Sequence, residues 1–233
     1  MTTITNTRET LDRQLRELKD DLLMMGSMVE QAALDATKAL KTRDARNAQR
    51  IYDEDRWINE KHLQIENDVV MLIATQQPMA RDVRFLASAL EVSTELERMG
   101  DYAKGIARIY LMIKDNPLDH PLTEISQMAE TATGMLHKAL TAFVNNDLDA
   151  ARAIPREDDT VDDLYTQFHR HVIEKMIANP GIIDRANYLL WAAHNLERFA
   201  DRVTNICERT IYVNTGILKE IAGSDDETLV GIK

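Results

Sequence analysis

LERMGDYAKGIAR, residues 96–108, and LERFADRVTNICER, residues 196–209, are the two stretches on which the reading of this chain turns. Each contains Glu-Arg-x-x-Asp inside a run whose small and apolar residues recur at helical spacing. Ser93, Leu96, Gly100, Ala103 and Ala107 form one such stripe, and Ala193, Leu196, Ala200, Val203 and Cys207 the other. That spacing predicts two amphipathic helices with these residues turned inward. Glu97 and Asp101 are four positions apart, as are Glu197 and Asp201, so each pair of carboxylates leaves its helix on one face and borders the inner stripe.

The correspondence extends well beyond these segments. At an offset of 103, Met25 matches Met128, Ala36 matches Ala139, Asp44 matches Asp147, Ile51 matches Ile154, Glu54 matches Glu157 and Asp55 matches Asp158. In the last helix of each half the offset becomes 100, pairing Leu90 with Leu190, Glu97-Arg98 with Glu197-Arg198, Asp101 with Asp201 and Ile106 with Ile206. Amphipathic helices match at apolar positions cheaply, but the matched charges mark a duplicated unit.

Breakers are confined to Gln77-Pro78, the segment with Pro117 and Pro121, and Asn179-Pro180-Gly181. Between them the pattern predicts three helices in each half. The first carries Leu11, Leu15, Leu18, Leu22, Met25, Val29, Ala32, Ala36 and Leu40 inward. The second begins at a cap from Asp44 and turns Ala48, Ile51, Ile58, Leu63, Ile65, Val69 and Leu72 inward, and the third runs from about Arg81 to Ile113. In the second half the helices span about 122–145, 147–178 and 184–214. Short connections make consecutive helices antiparallel neighbours. The expectation is an all-α protein of two homologous three-helix bundles in tandem, residues 1–116 and 117–217, with a polar tail at 218–233.

Composition agrees with this. Glycine (8) and proline (5) are scarce, and aromatics make up only 5%, which leaves a chain dominated by good helix formers. No apolar run approaches the roughly 20 residues of a bilayer span, and Met1 to Thr10 lacks the apolar core of a secretory signal, so a cytoplasmic protein is expected. The lone Cys207 can form neither an internal disulfide nor a thiolate metal site and reads as a core residue. A net charge of −11 argues against nucleic acid and anionic membrane as partners. The 11 methionines read as fillers of core gaps.

A pair of like charges at i and i+4 costs an isolated helix about 0.2–0.5 kcal/mol. Two such pairs at equivalent places therefore call for counter-charges, supplied by Arg98, Arg198 and Arg202 or by a bound cation. Carboxylate oxygens suit Mg, Mn or Fe better than zinc, given the missing thiolates. The candidate ligands are Glu97, Asp101, Glu197 and Asp201, with Asp55, Asp158, Asp162 and His194 as further donors. His194 lies three residues before Glu197 but has Thr94 as its repeat counterpart, and a surface histidine is the alternative. Acids near the start of each middle helix, Glu54 with Asp55 and Glu157 with Asp158 and Asp162, equally suit the helix dipole. No glycine-rich phosphate loop, nucleophile elbow or Cys and His couple is present, so no catalytic residues and no enzyme are expected.

LERMGDYAKGIA and LERFADRVTNICE resemble the two signature repeats of the PhoU family, in which an acid is followed after three residues by Asp. QQPMARDVR from Gln76 resembles the family's segment before the first signature, REDDTVDDLY from Arg156 resembles its segment in the second middle helix, and the resemblance covers about residues 9–217. It implies a negative regulator of the phosphate-starvation response that modulates the phosphate ABC transporter. Such a regulator is a homodimeric adaptor between the transporter's ATPase subunit and the phosphate-sensor histidine kinase, reaching the membrane only through these proteins. It also implies metal on the acidic motifs, as some members carry. The match departs at Asp201-Arg202, where the family often has Asp-His, and this places a guanidinium beside the site. A second reading, a di-iron carboxylate oxidoreductase in a helical bundle, requires inward Glu-x-x-His motifs from two helices, and neither acidic pair has one beside it.

Overall fold

A computed structural model describes residues 2–115 and 122–219, with side chains from Arg8 onward. The expected junction at 116–117 and the tail beyond residue 219 lie outside the described residues. Helices α1 (Thr2–Thr42), α2 (Ala45–Gln76) and α3 (Ala80–Ile113) form the first bundle. The second contains α4 (Thr123–Asn145), α5 (Leu148–Ala153), α6 (Asp158–Ala178) and α7 (Ile183–Thr215). No strand occurs among the described residues.

The duplication is visible in the backbone. At the end of α1, Arg43 adopts a left-handed conformation (φ 61°), and the Asp44 N–H closes onto the Ala39 carbonyl at 3.0 Å. Asp44 then caps α2, its carboxylate accepting from the Asn47 N–H at 3.0 Å. The second half repeats this at the same offset. Asn146 is left-handed (φ 56°), the Asp147 N–H reaches the Ala142 carbonyl at 2.8 Å, and the Asp147 carboxylate accepts from the Ala150 N–H at 3.0 Å. A backward bond followed by an Asp cap satisfies orphan carbonyls on one helix and orphan amides on the next, so chain reversal is sharp in both halves.

One expectation fails at the second middle helix. The span 147–178 is two helices, α5 and α6, joined by a 3₁₀ turn at Ile154–Glu157. Pro155 causes the break, because it has no N–H to donate and its ring clashes with the preceding turn. Its counterpart is Tyr52, and α2 runs through that position without interruption.

The inner stripes of α3 and α7 are buried throughout, and Cys207 lies in the core, where burial pushes its thiol up to about 12. Two expectations about the core are corrected. Leu63 is 61% exposed, because Ile65 already takes the inward position on that turn of α2. The methionines divide: Met25, Met99, Met128 and Met135 fill the core, whereas Met24, Met71, Met79 and Met112 are more than half exposed.

The two bundles share one hydrophobic core, α1 packing on α4 and α3 on α7. Phe85 of α3 stacks on Phe143 of α4 with ring centroids 5.4 Å apart. Gly26 lets α1 approach α4 closely, since a Cβ there would lie 2.1 Å from Leu140 Cδ1. No described helix is long and apolar enough to cross a membrane.

Candidate functional site

In the first bundle the acids come from two helices. Asp55 points inward from the third turn of α2 and is 4% exposed, so it is not the first-turn dipole partner that its patch suggested. Glu97 and Asp101 approach it from α3. Glu97 is pushed up from the usual carboxylate range mainly by burial, then by Asp101 and Asp55, while His62 and Arg98 oppose the shift. Asp101 is pushed up by burial and by Asp55, against Lys104. Lys104 is the residue missed in the sequence. Its Nζ donates to Asp55 Oδ2 at 2.7 Å and stands 4.0 Å from Asp101 Oδ1. Asp55 Oδ2 also accepts from Asn59 Nδ2 at 3.3 Å, while its Oδ1 is buried without a hydrogen-bond partner. Beside this cluster an apolar groove of about 390 Å³ opens between Met24, Met28, Trp57 and Ile58.

The second bundle repeats the acids with different company. Asp158 heads α6, and burial, followed by Asp162, Asp201, Glu197 and Asp159, raises its carboxyl to about 7. Its Oδ1 is buried without a hydrogen-bond partner. Glu197 is likewise raised, by burial first and Asp201 second, with His194 and Arg198 opposing. Asp158, Asp162, Glu197 and Asp201 therefore share one electrostatic neighbourhood. His194 is itself more than half exposed, its Nδ1 3.0 Å from Glu197 Oε2 but off the line of a hydrogen bond. Glu54 and Glu157 take no part in either cluster, because each is turned outward to a base: Arg50 at 2.6 Å and Lys138 at 2.7 Å.

The arginines expected to neutralise the acidic pairs are only partly engaged with them. Arg198 stands 3.3 Å from Asp201. Arg98 donates to Glu95 at 3.0 Å. Arg202 leaves its neighbour Asp201 and crosses to α3, where it meets Glu95 at 3.6 Å. The departure from Asp-His therefore does not bring this guanidinium into the acidic site.

Among the described residues no three His, Cys, Asp or Glu side chains already converge as a metal shell. A hard cation here would take two or three carboxylate oxygens and complete its shell with water. Donor chemistry fits such an ion in the second cluster, where Asp158 Oδ1 is orphaned and Asp158 and Glu197 are both held above the usual carboxylate range.

The description "PhoU domain" matches this chain twice, at residues 22–110 and 125–210, which coincides with the two bundles. A phosphate-specific transport system accessory protein PhoU homolog of Clostridium acetobutylicum is 35% identical over 211 residues, covering 90% of this chain and 96% of its own length. The homolog of the same name from Streptococcus pneumoniae is 34% identical, covering 92% of this chain and 99% of its own. The crystal structure of PhoU from Pseudomonas aeruginosa superposes with a TM-score of 0.83 at 31% identity, covering 88% of this chain and 99% of that one. The structure of the phosphate transport system regulatory protein PhoU from Streptococcus pneumoniae also gives 0.83, at 33% identity. With both bundles matched and the fold shared along nearly the whole length, the chain belongs to the PhoU family.

Proposed function

We propose that this protein is a negative regulator of the phosphate-starvation response and a modulator of phosphate ABC transporter activity. It acts without catalysis, as a cytoplasmic homodimeric adaptor between the transporter's ATPase subunit and the phosphate-sensor histidine kinase. The observation that carries this reading is the match of both repeats to a family whose full-length relatives are named phosphate-specific transport system accessory proteins. The exposed Met24, Met112 and Trp57 side chains support it from a different side, because flexible methionines and aromatics make adaptable protein contacts.

The second acidic cluster is assigned to a hard divalent cation, Mg, Mn or Fe. When bound, the ion supplies positive charge that lets neighbouring carboxylates ionise together, while Glu197, Asp201 and Asp158 hold it and His194 and Arg198 flank it. The di-iron reading finds no support. His194 and Glu197 stand in His-x-x-Glu order, Thr94 replaces the histidine on α3, and the relatives are transport accessory proteins.

Pull-down with the purified chain tests the adaptor role. The immobilised protein is expected to retain the cytoplasmic part of the phosphate-sensor kinase and the transporter ATPase subunit. Retention of neither at micromolar concentration would remove the adaptor reading.

A further inference from the structure

The two acidic clusters are built on one plan but differ in the groups set against the buried acid. At the repeat offsets, Lys104 of the first corresponds to Thr204 of the second, and Asn59 to Asp162. The first exchange removes a positive charge and the second adds a negative one, so the second cluster lacks the built-in ammonium and amide donors of the first. We propose that Lys104 is the built-in cation of the first cluster, so that an exchangeable divalent ion is accommodated only in the second. This deepens the cation assignment above and rests on it for the second cluster alone.

The geometry of the first cluster supports this directly. The Lys104 ammonium lies 2.7 Å from Asp55 Oδ2, a charge-assisted hydrogen bond of full strength, and 5.4 Å from the centre of the Tyr52 ring. Asn59 donates to the same oxygen at 3.3 Å. The Asp55 side chain is 3% exposed, so water has little access to replace these donors. A divalent ion binds carboxylate oxygens at about 2.0–2.6 Å. Entering here, it would have to expel the ammonium from the only buried carboxylate of the cluster and place two positive charges beside it.

Neither donor has an equivalent in the second half, since Thr204 carries no charge and Asp162 is itself an acid. The groups facing that cluster from other positions are His194 and Arg198 on α7 and Asp159 on α6. The halves of a duplicated protein have thus divided one task, the first holding its counter-charge covalently and the second taking it from solution.

Mn²⁺ titration of the full-length protein, followed by bound manganese per chain, tests the division. Wild type is expected to bind one ion per chain. Lys104→Thr is expected to bind one more than wild type, with its lowered melting temperature restored by Mn²⁺, and Lys104→Arg to bind the same as wild type. Thr204→Lys, the reciprocal exchange, is expected to remove the wild-type ion. Two ions on wild type, or no added ion on a folded Lys104→Thr, overturns the proposal. If wild type binds none while Lys104→Thr gains one, the role of Lys104 stands and the cation assignment in the second cluster falls. Should Lys104→Thr fail to fold, Thr204→Lys decides, and manganese retained by that variant overturns the proposal.

Discussion

Asp158→Asn is expected to stabilise the metal-free protein at pH 8 by about 1–2 kcal/mol. The carboxyl of Asp158 is raised to about 7 from an ordinary value of 3.8. A full shift of that size corresponds to about 4 kcal/mol at 1.36 kcal/mol per pH unit, reduced here because Asp158 is only partly withdrawn from solvent. An acid with a raised folded pKa binds more protons folded than unfolded. Its cost is absent below about 4, accumulates as pH rises toward 7 and is fully present above that. The advantage of Asn therefore shrinks as pH falls from 7 to 4. Excess Mn²⁺ at pH 8 is expected to raise the melting temperature of wild type and to leave that of Asp158→Asn nearly unmoved, because the ion needs the ionised carboxylate. Melting curves with chelator and with Mn²⁺ at pH 5 and 8 check this. If Asp158→Asn is less stable than wild type in chelator at pH 8, Asp158 is serving the dipole of α6, which is worth about 0.3–1 kcal/mol.

Glu95→Ala is expected to cost about 2–3 kcal/mol. Glu95 is 6% exposed on α3 and faces Arg202 of α7 at 3.6 Å and Arg98 of its own helix at 3.0 Å. Removing the acid leaves the Arg202 guanidinium between the two bundles without its counter-charge, which is the expensive way to break such a pair. Changing Arg202 to Met in the same chain withdraws the stranded charge, so the double variant is expected to recover more than half of the loss. Urea unfolding of the single and double variants measures both. A loss below about 0.5 kcal/mol for Glu95→Ala, or no recovery in the double variant, would show that the pair does not hold α3 to α7.

Much of this architecture was legible before any coordinates, because the duplication is written in charged as well as apolar positions. Asp44 predicted the cap it supplies and its repeat match Asp147 supplies the same one, and the stripes from Ser93 and Ala193 predicted the faces that are buried. Pro155 is readable as a helix breaker, but the repeat pattern, with Tyr52 at the matching place, predicts an uninterrupted helix at 147–178, and the proline's missing N–H overrides it. The site was harder. Glu97 and Asp101 share a face by helical geometry alone, but their meeting with Asp55 depends on how α2 packs against α3. Lys104 sits three residues past Asp101 and so resembles an ordinary surface partner, yet its ammonium reaches across to a carboxylate 49 residues away in sequence. Arg202 shows the opposite, lying next to Asp201 in the chain while its charge serves another helix. The available signal lies among the places where the repeats disagree in charge, which include Lys104 against Thr204 and Asn59 against Asp162. Matched positions disclosed the fold, and mismatched ones disclose the division of labour within it.

The most direct test of the regulatory role is a phosphate-starvation promoter reporter in host cells grown with abundant phosphate. Deleting the gene for this chain is expected to switch the reporter on, and restoring the wild-type copy to silence it again. A reporter that stays repressed after the deletion, with kinase and transporter intact, would contradict the assignment of this protein as a negative regulator of the starvation response.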